Sequence, residues 1–527
     1  MNQVTARKLL FVIFMINIII PASTGYLIRA NAASTMDNTM KPMTDNLDQL
    51  QPAAVFKNFY DLTQIPRTSH NEEKATAFLA AFGHSLNLET ITDDLGNVII
   101  RKPATKGYED RHTVVLQAHM DMVPQKTADK THDFLKDPIT AYVKDGWLTA
   151  DRTTLGADDG IGVATIMAVL QDKDMDHGPI EALFTVNEED GFTGVNGLEP
   201  GVLKGDYLIN IDWETEGTFA IGSAGGEYVD AAGKYKLETT PSNMVGYRIS
   251  ITGLHGGHSG MDIKKGGGSA TKLVARLLWS AGSFNMRISS INSGDRYNAI
   301  ARDAVAVVAV PKAQDTDFEN FIRSFEKTAK SELAATEPAL NIRAVSTDRP
   351  VKVMNDKSQV VMLNAIYGSV HGVQRMSDSV PDLVETSCNL GIFTADKGEW
   401  KAGILVRSAV DSARDDTVDK LSAVMRLAGA DVKTHGSYSG WRPDVKSPLL
   451  VLMKDVYQKT FGKEAGLVAV HAGLETSVIS AKYPEMDMVS VGPTLQNVHS
   501  PDEQLEISSV GKVYHLLAET LKRIPNK

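Results

Sequence analysis

Five short segments carry side chains able to hold divalent cations or move protons: His119-Met120-Asp121, Gly156-Ala157-Asp158-Asp159-Gly160, Glu188-Glu189, Asp212 and His499. Side chains alternate along an extended segment, so His119 and Asp121 share a side, one able to bind metal and the other to orient it. Taken alone, the pair also reads as a satisfied structural histidine. The glycines around Asp158 admit close backbone approach, and a carboxylate there can bridge two cations. The plainer reading of that segment is an Asx turn capping a helix. Glu188 and Glu189 follow an apolar run, where adjacent acids are costly to desolvate unless a cation or a proton lies between them. A solvated loop is the alternative. Asp212 closes a second apolar run, and His499 lies in the polar loop HSPDE. Two histidines and several carboxylates, with a single cysteine in the whole chain, suit a pair of zinc ions; manganese or cobalt could satisfy the same atoms.

These residues need a frame. Residues 113–118, 182–186 and 207–211 are short β-rich runs, and 160–170 (GIGVATIMAVL) reads as an apolar helix between the first two. Strands alternating with helices imply an α/β sheet, in which ligands gather at the carboxyl ends of the strands. His119 and Asp121 follow the first run, Glu188 and Glu189 the second, and Asp212 the third. The texture changes after about Gly226. Strands at 247–251 and 304–310 are separated by Gly-rich turns from amphipathic helices at 269–281 and 317–335. Past Gly440 come a helix at 449–461, a strand at 488–491, the loop with His499 and a helix at 508–521. A metal site split between both ends of the chain makes the middle an insertion. The expected fold is α/β, a zinc-exopeptidase-like catalytic domain with a central mostly parallel sheet. It spans residues 48–225 and 437–527 and is interrupted by an inserted α+β lid domain over 226–436.

Bulk properties narrow the function. A chain of 527 residues exceeds the ~250–300 at which single cores stop growing. With a formal charge of −11 and no basic stripe, nucleic acid is excluded as a partner. Cys388 alone permits neither an intramolecular disulfide nor a cysteine-rich zinc cluster. At the N-terminus, Arg7 and Lys8 precede an apolar run over 9–20, followed by Ala30-Asn31-Ala32. That layout predicts a signal peptide over 1–32, the run being short of the ~20 residues of a bilayer span. Residues 33–47 read as a disordered lead-in. The resulting expectation is an exported, periplasmic protein without stable membrane insertion after cleavage; an uncleaved N-terminal membrane anchor is the alternative.

The motifs LQAHMDMVPQ, TTLGADDGIG, FTVNEEDG, LINIDWETEG, GGHSGMDI, NAIAR, HAGLE, YPEMDMVSVGPT and NVHSPDE resemble, in order, those of the aminoacyl-histidine dipeptidases (Xaa-His dipeptidases, peptidase D). These belong to the co-catalytic zinc exopeptidases and deacylases that include carnosinases. The resemblance implies that Asp158 bridges two zinc ions. His119 and Asp212 would complete one ion's ligands, and Glu189 and His499 the other's. Asp121 would orient His119, and Glu188 would be the general base toward a zinc-bridged hydroxide. His258 of GGHSG would stabilise the oxyanion from the lid, Asn298 and Arg407 would grip the substrate carboxylate, and Gly473 would lend backbone to the pocket. Asp159 stands where relatives often have Asn, and NAIAR where they often have NAIPR. The implied reaction is hydrolysis of dipeptides, of Xaa-His type and broad specificity, and the resemblance also points to a homodimer joined through the lid. Two other readings remain at this stage: a deacylase or amidase of N-acylated amino acids, and a non-catalytic peptide- or zinc-binding protein of the envelope.

Overall fold

The computed structural model describes residues 41–527. Two sheets organise them. The strands of the first, in chain order, are β1 (Glu89–Thr92), β2 (Val98–Lys102), β3 (Val114–His119), β4 (Ile180–Thr185), β5 (Tyr207–Asn210), β6 (Thr218–Ser223), β7 (Gly466–Val470) and β8 (Asp487–Ser490). Their spatial order is β1-β2-β4-β3-β5-β8-β6-β7. The centre, from β4 through β3 and β5 to β8, is parallel. β1, β2 and the β8–β6 junction are antiparallel, so the sheet is mixed around a parallel core. β3, β4 and β5 are buried at every position, as strands covered on both faces must be. One face is covered by helix α1 (Ala53–Thr63) and by α2 (Ala157–Gln171), the apolar segment following the GADDG turn.

The second sheet has nine strands, all within Gly225–Tyr438. Its path runs 341–347, 244–252, 304–311, 287–293, 384–396, 399–408, 225–234 and 431–438, with 372–376 beside 384–396. Helices Ala270–Ser280 and Asp315–Glu332 pack on it around an apolar core of its own. The chain enters and leaves this unit side by side: Ser223 pairs with Trp441, and a Cβ on Gly225 would meet the backbone of Tyr438 and Gly440 within 2.5 Å. Glycine is needed there because no side chain fits between the two crossings.

Over its described part, residues 41–47, the lead-in expectation requires correction. Met43–Gln49 forms a 3-10 helix, and Met43 is 1% exposed. Met43, Leu47 and Leu50 recur at helical spacing and seat in the core of the first unit, an apolar stripe overlooked in a polar stretch. The signal-peptide expectation over 1–32 lies outside the described residues.

Candidate metal centre and active site

His119 is the last residue of β3, and Asp158 lies in extended conformation (φ −79°, ψ 112°) just before the regular turns of α2. His119 Nε2 is 3.1 Å from Asp158 Oδ1 and 3.5 Å from Asp212 Oδ1. His499 Nε2 is 3.0 Å from Asp158 Oδ2 and 3.0 Å from Glu189 Oε2. The two oxygens of one carboxylate thus face two histidines, each accompanied by a further acid. Within each trio, potential ligand atoms lie within 4.8 Å of one another, and a third such trio is His119, Glu188 and Glu189.

The donor set fits two divalent cations. Glu189 Oε1 is buried without a hydrogen-bond partner. Burial raises Glu189 and pushes Glu188 well above the usual carboxylate range, and burial pushes Asp212 up to about 6. Hydrogen bonds to Asp158 and Glu189 push His499 up to about 11. His119 also rises, because Asp212, Asp121 and Asp158 outweigh its burial. The assembly therefore gathers more negative charge than its environment solvates, and positive charge must offset it. Imidazoles must be neutral to bind metal, so a dication in each trio would take the place of the proton.

Asp121 supports both halves of the centre. It lies 3.3 Å from His119 Nδ1 and accepts from the Glu188 and Glu189 N–H groups at 3.0 and 3.2 Å and from Ser69 Oγ at 2.8 Å. The turn after β4 uses Asn187 at φ 54°, a left-handed conformation that Asn tolerates, and brings both glutamates to the centre.

Two supporting residues escaped sequence reasoning. Glu503, 1% exposed, accepts hydrogen bonds from the N–H groups of Leu155, Gly156, Ala157 and Asp158 at 2.7–3.3 Å. Arg67, also 1% exposed, donates to the carbonyls of Met120, Asp121 and Gly156. Together they clamp the GADDG turn from two sides. Glu503 stands in the same HSPDE loop as His499, a signal that was available; nothing near Arg67 in sequence marks it.

Not every expected residue joins this centre. Gly473 lines the same cavity of about 710 Å³ as Asp158, Glu188, Glu189, Asp212 and His499. His258 and Asn298 instead line a separate cavity of about 680 Å³ beside Arg302. Arg407 is buried among residues of the second unit: its guanidinium donates to Tyr438 Oη at 3.1 Å and lies 3.5 Å from His258 Nε2. Eight of the expected residues thus gather at the centre or on its cavity wall, while His258, Asn298 and Arg407 lie off that wall, His258 and Arg407 within Coulombic range of its His471.

The model of Peptidase family M20/M25/M40 matches residues 115–523. The chain belongs to this family. The present chain is a metallopeptidase with an α/β fold of that type. Among curated relatives, the cytosol non-specific dipeptidase of Escherichia coli (strain K12) is 40% identical over 486 residues, covering 91% of this chain and 99% of the relative. Among solved structures, aminoacylhistidine dipeptidase from Vibrio alginolyticus is 38% identical with a TM-score of 0.88, covering 91% of this chain and 98% of that one. Aminopeptidase PepT from Bacillus cereus shares the fold at 16% identity and a TM-score of 0.54, covering 90% of this chain and 99% of that one. The expected export to a periplasm is corrected by the first of these: the relative aligned with nearly the whole chain is cytosolic, and periplasmic export is not supported. A basic start and an apolar run are features of composition, which other N-termini can share. Among the described residues no helix is long and apolar enough to cross a membrane.

Proposed function

We propose that the chain is a dipeptidase of broad specificity that accepts Xaa-His substrates and works with two zinc ions. Asp158 would bridge them, His119 and Asp212 would hold one, and Glu189 and His499 the other. The observation that carries this reading is the placement of the two Asp158 oxygens against His119 and His499 at 3.1 and 3.0 Å. Bound there, the zinc pair would supply Lewis acidity and bring water ionisation near neutral pH. Glu188 is the general base in this reading. It lines the cavity beside Glu189 and shares a trio with His119, its backbone pinned by Asp121, free to take a proton from water and return it to the leaving amine. Asp121 fixes the orientation of His119, and Gly473 admits the substrate close to the backbone. The dipeptidase names of the two relatives aligned over 91% of the chain favour peptide over acyl substrates.

In the arrangement described, His258, Asn298 and Arg407 do not line the cavity with the acids. They would reach a bound dipeptide by closure of the 226–436 unit about its adjoining crossings at 225–226 and 436–440, His258 then meeting the oxyanion and Asn298 with Arg407 the carboxylate. A bidentate Arg is suited to that last task.

The test is hydrolysis of Gly-His, β-Ala-His and Leu-containing dipeptides by the zinc-loaded chain, with Glu188→Gln in parallel. The expected result is turnover that a chelator abolishes and that the variant lowers by ~10²–10³ while still binding two zinc ions. A metal-loaded chain inert toward every dipeptide would overturn the reading.

A further inference from the structure

The proposed machinery gives the carboxylate of a dipeptide its partners and leaves the ammonium at the other end without one. Yet the distinction between a free dipeptide and an N-acylated one rests on that ammonium. The wall of the central cavity contains an acid outside the ligand set, Glu214, two residues beyond Asp212. Its carboxylate takes part in no hydrogen bond or ion pair among the described residues, and only its backbone is engaged, accepting from the Leu495 N–H at 3.0 Å. It lies within Coulombic range of Asp158, Asp212, His499 and Glu189, so it borders the centre without belonging to any of the trios.

Charge elsewhere in the cavity narrows the role. With Asp158, Glu189 and Asp212 facing cations and Glu188 committed to proton transfer, Glu214 is the remaining carboxylate of the wall. The second unit contributes Lys264 and the apolar Met261, Leu383 and Val384. Lys264 Nζ donates to the Asp382 carbonyl at 3.0 Å and would repel an ammonium from that side. An α-ammonium entering beside the metal pair thus meets one free carboxylate, and it meets it on the first unit.

Resting on the dipeptidase reading, we infer that Glu214 binds the free α-ammonium of the substrate and so makes the enzyme selective for unblocked N-termini. The contact is one of charge, between a carboxylate and an alkylammonium, and is indifferent to the side chain of the first residue. It therefore sets which end group is accepted and leaves side-chain specificity broad.

The experiment compares wild type and Glu214→Gln, both full-length and zinc-loaded, on Leu-Gly and N-acetyl-Leu-Gly. The blocked peptide serves as a competitive inhibitor where its turnover is too slow to follow. The variant is expected to lose roughly 10–100-fold in kcat/KM on Leu-Gly, mainly through KM, in line with loss of a hydrogen bond to a charged group. Its affinity or turnover for the blocked peptide stays unchanged, and two zinc ions remain bound. An equal effect on both peptides, no effect on either, or loss of zinc would overturn the inference. Failure of the wild type on Leu-Gly would instead overturn the dipeptidase reading beneath it, and the two failures are told apart by the wild-type rate alone.

Discussion

Glu503→Gln tests whether a buried carboxylate holds the bridging aspartate in place. Glu503 accepts four backbone N–H groups, Leu155 and Gly156 on one oxygen and Ala157 and Asp158 on the other. Glutamine has the same shape but one acceptor, so either orientation of its amide deprives two N–H groups of a partner. A buried unpaired donor costs about 1–3 kcal/mol, which gives a gross loss of roughly 2–6 kcal/mol. Part is recovered, because burial opposes ionisation of Glu503 and raises its pKa, and the neutral amide is spared that penalty. The lost bonds still outweigh the recovered solvation, since two donors are orphaned for one charge removed. A net ~2–4 kcal/mol should lower the melting temperature of the zinc-loaded chain by roughly 2–4 °C in calorimetry, since unfolding 527 residues carries about 1 kcal/mol per kelvin of entropy. Because Asp158 belongs to the loosened turn, zinc affinity measured by competition with a chelator should fall about tenfold, the equivalent of ~1.4 kcal/mol. A variant melting within about 1 °C of wild type, with zinc affinity unchanged, would refute the claim that Glu503 positions the turn.

Asp121→Asn keeps the size of a residue that touches His119, Ser69 and the Glu188-Glu189 backbone, yet loses the carboxylate that holds the imidazole. Zinc affinity should drop ~10–100-fold with circular dichroism unchanged, and unaltered zinc binding would exclude the orienting role. His371, whose Nδ1 accepts from the Leu390 N–H, is pushed down to about 4 by burial, with Lys272 adding to the effect. Its ordinary value is 6.5. Between those values the unfolded chain binds the extra proton, so its contribution is complete above pH 6.5 and is lost as pH falls toward 4. The loss is at most about 3 kcal/mol. Urea midpoints across that window should fall less steeply for His371→Gln than for wild type, and parallel curves would count against the assignment.

The sequence by itself determined the ingredients and their order. Apolar runs ending in acids or histidine announced β3, β4 and β5, and the ligand candidates sat just beyond them because a parallel sheet presents its carboxyl ends together. The switch to alternating strands and Gly-rich turns marked the second unit, whose nine strands fall within residues 225–438. Local pattern is legible in this way because periodicity and strand-end position are properties of a few consecutive residues.

What only the tertiary structure decided is every relation between residues distant in sequence. The two Asp158 oxygens face histidines 39 positions upstream and 341 downstream. Arg67 and Glu503 reveal their roles only where folding brings backbone donors and acceptors to them, since a buried charge is recognised by its partners and not by its neighbours in sequence. Met43, by contrast, sat in a helical-spaced stripe with Leu47 and Leu50 that local pattern could have shown, and only its place in the core of the first unit needed the fold. Likewise, motif resemblance selected His258, Asn298 and Arg407, but the arrangement of the two units decides whether they share a cavity with the acids. Relative placement of packed units depends on surfaces assembled from the whole chain, and no short motif encodes it.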